Sequence, residues 1–122
     1  MQISRLILYV QDVALLTAFY RTHFELSVAE EIENEWAVLT DGGFEIALHL
    51  AGRPYRNGLR TSGRQSNAKI VFSVSHELPQ LRERLIKGGV KMRGIKRYPG
   101  FPLLLCDGED PEGNVFQLAQ SI

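Results

Sequence analysis

Cys106-Asp107-Gly108-Glu109-Asp110-Pro111-Glu112-Gly113-Asn114-Val115-Phe116-Gln117-Leu118 is the stretch whose reading decides the fold. Its Asp-Pro-Glu-Gly-Asn segment predicts a tight turn. Pro111 presets φ at the second position, Gly113 supplies a positive φ, and the Asp and Asn side chains bond local backbone. Leu103, Leu104 and Leu105 form an apolar strand before the turn, and Val115, Phe116 and Leu118 form one after it, which makes a β-hairpin. Gln117 is the polar residue placed inside the second strand, where it either ends a core strand or lines a pocket.

Working back from this hairpin, residues 68–74 read as a strand and Ser75 as a helix cap. Leu78, Leu81, Leu85 and Ile86 form a helical stripe that Gly88-Gly89 ends. Residues 90–96 read as a strand, Tyr98-Pro99-Gly100 as a turn, 101–106 as a strand and 114–119 as the last one. The first part of the chain shows the same order. Residues 3–10 are apolar apart from Ser4 and Arg5, which predicts a strand covered on both faces. Asp12 caps a helix whose Val13, Leu16, Phe19, Tyr20 and Phe24 recur at spacings of three and four. Strands follow at 27–32, 36–39 and 44–50, joined by Glu33-Asn34-Glu35 and Asp41-Gly42-Gly43. The pattern is βαβββ, twice. Setting Val10 against Val74 pairs residues 5–10 with 69–74 and Phe24 with Gly88, so that both first strands and both helix ends coincide. Between the halves, residues 52–67 have no periodicity and carry Arg53, Arg56, Arg60 and Arg64 without an acid. A loop of this length is usually functional or mobile.

With 122 residues, the chain reads as one domain: module one at about 1–51, the loop 52–67, and module two at about 68–122. Fourteen basic residues balance fourteen acidic ones, so no overall field points to nucleic acid or an anionic membrane. A single cysteine excludes an internal disulfide and fits a reducing compartment. The first residues read as a strand rather than a signal peptide, and no apolar run approaches the roughly 20 residues of a membrane span. Together these predict a cytoplasmic protein.

Two βαβββ halves, with Asp110-Pro111-Glu112-Gly113-Asn114-Val115-Phe116-Gln117-Leu118 at the end and Val10-Gln11-Asp12 leading to Ala18-Phe19-Tyr20 at the start, resemble the vicinal oxygen chelate superfamily. That group includes glyoxalase I, extradiol dioxygenases, and fosfomycin and bleomycin resistance proteins. The resemblance implies an α+β fold of two βαβββ modules forming a curved, cup-like mixed sheet with the helices outside. It also implies four metal-ligand positions, one early in the first strand and one in the last strand of each half, usually His, Glu or Gln. Those positions match Arg5, Lys69, Gln117, and either Glu45 or Ala47. Arg and Lys have no lone pair to give and repel a cation, so neither a metal nor another cofactor is carried over.

The residues at these positions then have three readings. Arg5 pairs with Glu45 while Gln117 satisfies its remaining donors; or Arg5 and Lys69 bind an anionic ligand; or both charges stand in solvent. The candidate ligand-binding set is Arg5, Glu45, Ala47, His49, Lys69 and Gln117. His49 shares a strand face with Glu45, whereas His23 and His76 fall at helix ends and Cys106 in an apolar strand. Trp36, Tyr55, Tyr98 and Phe101 are candidate pocket walls, and the arginine loop a candidate lid. Three functions follow: a metal-free protein that binds or sequesters an anionic or aromatic small molecule, a glyoxalase- or dioxygenase-like enzyme with a non-standard metal site, or an interaction domain whose cup is filled by side chains. A homodimer is the assembly the resemblance implies.

Overall fold

The computed structural model describes residues 2–52 and 68–122. The arginine loop, including Tyr55, lies outside the described residues except for Gly52. The chain divides into two compact units, each showing, among the described residues, a four-stranded mixed sheet with one helix. Among the described residues no helix is long and apolar enough to cross a membrane.

The first unit runs β1 (Arg5–Val10), α1 (Val13–Phe24), β2 (Ser27–Ile32), β3 (Trp36–Thr40) and β4 (Glu45–Leu50), in sheet order β1-β4-β3-β2. The β1–β4 pair is parallel and the others antiparallel. Asp12 caps α1 by accepting from the Leu15 N–H at 3.0 Å. Val13, Leu16 and Tyr20 are buried as the helical stripe predicts, with Thr17 among them. Strand β1 departs from the expectation of two covered faces: Ile7 is 43% and Tyr9 60% exposed. A run of apolar residues cannot tell a strand covered twice from one whose second face stays open.

The second unit repeats the order with β5 (Lys69–Val74), α2 (Leu78–Lys87), β6 (Lys91–Lys96), β7 (Leu103–Glu109) and β8 (Val115–Ser121), arranged β5-β8-β7-β6. Strands β1 and β5 start and end at the residues the repeat aligns. Helix α2 ends on Gly88 and Gly89. The Gly89 N–H reaches the Ile86 carbonyl and the Val90 N–H that of Leu85, with Gly89 at φ +88°, the left-handed closure that favours glycine. The start of α2 corrects the expected Ser75 cap. Glu77 is the N-cap, without a side-chain bond, and Gln120 of β8 accepts from the Leu78 N–H at 2.7 Å. Ser75 bonds His76 instead.

The predicted turn is present and its chemistry is denser than expected. Asp110 is only 4% exposed. One of its carboxylate oxygens accepts from the Glu112 and Asn114 N–H groups, both at 2.9 Å, and the other from the Asn114 side-chain amide at 2.8 Å. Gly113 holds φ +81°. Strand β7 runs on through Asp107, Gly108 and Glu109 to the edge of this turn, three residues beyond the Cys106 end expected from its apolar residues. Gly108 pairs with Phe116 across the hairpin, and a Cβ there would meet the Phe116 ring and lie 2.6 Å from the Met92 sulfur. Gly108→Ala is therefore expected to destabilise the protein by about 1–3 kcal/mol through overpacking, measured by urea unfolding; an unchanged midpoint would contradict this packing.

Candidate functional site

Successive strand residues face opposite ways, so the register sorts each sheet into a helix-side face and an outer face. In the first unit Arg5, Ile7 and Tyr9 align with Glu45, Ala47 and His49, and these with Thr40, Val38 and Trp36. Arg5 donates from Nε to Glu45 Oε1 at 3.0 Å, and its Nη2 stands 2.9 Å from the same oxygen in an ion pair. Its Nη2 also lies 3.7 Å from Glu30 on β2, and its guanidinium stands 5.6 Å from the Trp36 ring centre. The Trp36 indole N–H donates to Glu30 at 3.3 Å. His49 donates from Nδ1 to the Leu50 carbonyl at 2.8 Å, which leaves Nε2 with the lone pair in the neutral ring. Its ring lies 5.2 Å from Tyr9 and 5.5 Å, edge-on, from Trp36. The outer face is thus an aromatic row, Tyr9, His49 and Trp36, beside one cation held between two carboxylates.

The second unit solves the same position differently. Lys69 aligns with Val115, which offers no charge, and its ammonium reaches past β8 to Asp107 of β7 at 2.9 Å. Gln117 donates from Nε2 to the other Asp107 oxygen at 3.0 Å. Arg93 of β6 stands 3.7 Å from Asp107 and 3.9 Å from Glu109. Strand β6 bulges to bring it there. Met92 pairs with Gly108 and Ile95 with Cys106, so Arg93 and Gly94 together oppose Asp107 alone. A bulge leaves backbone groups without a ladder partner, and here the Arg93 carbonyl accepts from Arg82 Nε of α2 at 2.8 Å and from the Cys106 thiol at 3.3 Å. Burial pushes the Cys106 thiol up from its ordinary value against the opposing influence of Arg82, in keeping with the inert cysteine expected. Burial also pushes the Asp107 carboxyl up, but hydrogen bonds from Lys69 and Gln117 and the charges of Lys69 and Arg93 outweigh it, and the carboxyl ends below its ordinary value.

Each expected site residue now has a place. Arg5 and Glu45 meet, as one reading required. Gln117, expected to satisfy Arg5, bonds Asp107 of its own sheet, and Glu30 stands beside Arg5 instead. The open choice between Glu45 and Ala47 is resolved by register. Gln117 aligns with Val71 and Ala47 with Ile7, the third residue of each first strand, so Ala47 is the counterpart of Gln117 and Glu45 that of Val115. Sequence reasoning missed Asp107, Arg93, Glu30 and Tyr9. For Asp107 the signal was present: counting both ways from the 110–114 turn sets 109 against 115 and therefore 107 against 117. For Arg93 no signal existed, since a bulge is not written in residue type.

Residues 2–118 match the family described as Glyoxalase/Bleomycin resistance protein/Dioxygenase superfamily, and the chain belongs to it. No curated protein matches the sequence. Among solved structures, the genomically encoded fosfomycin resistance protein FosX of Listeria monocytogenes is similar over 100% of this chain and 94% of its own, at 18% identity and a TM-score of 0.79. A structure of that FosX complexed with Mn(II) and sulfate ion shares 17% identity, covering 99% of this chain and 90% of the other, again with a TM-score of 0.79. Lactoylglutathione lyase of Agrobacterium tumefaciens matches over 98% of this chain and 92% of its own, at 18% identity and a TM-score of 0.76. At these identities the likeness is one of fold.

The lowered Asp107 carboxyl makes stability depend on pH. Its contribution is complete above the unfolded aspartate value of about 3.9 and is lost as pH falls from there through the lower native value. Urea unfolding at pH 6 and at pH 3 is expected to show a smaller acid loss in Asp107→Asn than in the parent protein; equal losses would contradict the assignment.

Proposed function

We propose that this protein binds or sequesters an anionic or aromatic small molecule without a metal ion. The observation that carries the reading is that Arg5 and Lys69 each stand 2.9 Å from a carboxylate of their own sheet. By the family resemblance and the register above, the four ligand positions are Arg5, Ala47, Lys69 and Gln117. Two are cations, one is a methyl group, and only the amide of Gln117 offers a donor atom. A divalent ion needs several oxygen, nitrogen or sulfur donors at once, so this set does not fit one. Among the described residues no group of three His, Cys, Asp or Glu side chains is placed to hold a metal either.

The outer faces supply what a ligand uses in place of a metal. In the first unit Tyr9, His49 and Trp36 offer ring surface and Arg5 offers charge, with Glu45 and Ala47 on the same sheet face; in the second Lys69 offers charge and Gln117 an amide, both bonded to Asp107. A cytoplasmic homodimer is part of this reading. The exposed Ile7 and Tyr9 of one sheet and Val71 of the other, 55% exposed, support self-association, because apolar side chains at this exposure favour cover.

Titration of chelator-treated protein with Mn(II) and Zn(II) is expected to show no stoichiometric uptake. Stoichiometric uptake would contradict the metal-free reading and favour an enzyme built on Glu45, His49 and Gln117. A thermal-shift screen over anionic and aromatic metabolites is expected to give a stabilisation of more than about 1 °C with at least one compound at saturation. No shift with any compound would favour an interaction domain instead. Sedimentation is expected to return the mass of two chains, and the mass of one would remove the dimer.

A further inference from the structure

The charges of the second unit do not balance. Lys69, Arg93, Lys96, Tyr98, Asp107 and Gln117, with Gly94 and Leu105, line a cleft of about 50 Å³. Three of these side chains are cationic and one is anionic. Glu109, outside the cleft, takes a share of Arg93 at 3.9 Å. Lys96 forms no ion pair with a carboxylate among the described residues, and it lies on the strand whose bulge turns Arg93 inward. The cleft is too small for a whole metabolite, yet has room for a few waters or one small oxyanion group. Three converging cations and an amide donor are the chemistry that binds such a group, with Arg93 presenting the planar fork.

We propose that this cleft takes the acid group of the ligand, a carboxylate or a phosphate, on Lys96, Arg93 and Lys69, and that Asp107 is the resident counter-anion with which it competes. This deepens the reading of a metal-free binder and rests on it for the rest of the ligand. The incoming oxyanion contacts Lys96 first, the cation with no carboxylate to give up among the described residues. It then shares Arg93 and Lys69 with Asp107, whose charge opposes it. Gln117, now bonded to Asp107, has a second amide hydrogen to donate. Asp107 therefore holds the cations in place when no ligand is present and weakens the binding of any anion that arrives.

The test is a titration of ¹⁵N-labelled protein with inorganic phosphate and, separately, with acetate, at constant ionic strength in chloride. The signals to follow are the Gly94 amide and the Gln117 side-chain amide. Saturable shifts with either anion are expected, and the arm with the tighter binding identifies the acid as phosphoryl or carboxyl. Lys96→Met is expected to weaken binding about fivefold with an unchanged thermal midpoint, since one cation contact is lost and no ion pair among the described residues is broken. Asp107→Asn is expected to strengthen it, because the competing charge is removed while Gln117 keeps a partner. Shifts no larger than those of chloride alone, or a Lys96→Met protein that binds like the parent, would overturn the proposal. Mn(II) titration of the same samples separates the two readings. Anion binding alongside metal uptake would keep this cleft and remove the metal-free reading; neither anion binding nor metal uptake would do the reverse.

Discussion

A positive charge fixed at the start of a strand and turned to the outer face of a sheet must be given a carboxylate, and both halves of this protein are arranged around that need. Partly desolvated charge is costly when left alone and tolerable when paired and hydrogen-bonded. The repeat places Arg5 and Lys69 at the same point of β1 and β5, but it does not place their partners there. Arg5 finds Glu45 directly across on β4. Lys69 faces Val115 at the matching position and has to reach one strand further, to Asp107. Two copies of one supersecondary unit thus satisfy the same charge through residues that are not counterparts of each other.

The second solution depends on more of the fold than the first. Asp107 stands opposite Gln117 because the Asp110 turn closes the hairpin in one register, with three hydrogen bonds to a carboxylate that is almost wholly buried. Gly108, the next residue, leaves room for the Phe116 ring and the Met92 sulfur. On the other side, the β6 bulge turns Arg93 toward the same carboxylate, and Arg82 and Cys106 occupy the carbonyl that the bulge frees. A change in the turn, the glycine or the bulge would therefore be felt at Asp107. The first unit has a simpler arrangement, in which Glu30 and Glu45 hold one guanidinium beside an indole.

Much of this was legible in the residues. Asp110, Pro111, Gly113 and Asn114 wrote the turn; the apolar spacings wrote both helices; and the match of residues 5–10 with 69–74 wrote the repeat. The Arg5–Glu45 pair followed because neighbouring strands set ionic residues side by side. Three things were hidden, each for a physical reason. Apolar residues at Ile7 and Tyr9 look the same in a covered strand and an open one. Asp107 and Gly108 lie past the last apolar residue of their strand, so an apolar pattern ends at Cys106, although here they continue the strand. The bulge sets Arg93 and Gly94 against Asp107 alone, an irregularity of pairing that no local propensity records.

The family resemblance supplies the fold, while the residues at the ligand positions supply the departure from it. Cations held by carboxylates take the place that lone-pair donors would need, and it is on this substitution that the proposed reading rests, in which a ligand is held by charge and ring surface rather than activated on an ion. The most direct measurement is a double-mutant cycle between Lys69 and Asp107, using Lys69→Met, Asp107→Asn and the pair, with urea unfolding at neutral pH. The account predicts a favourable coupling of about 0.5–1 kcal/mol for this partly exposed pair. Strictly additive effects would show that the ammonium and the carboxylate do not hold one another, and would contradict it.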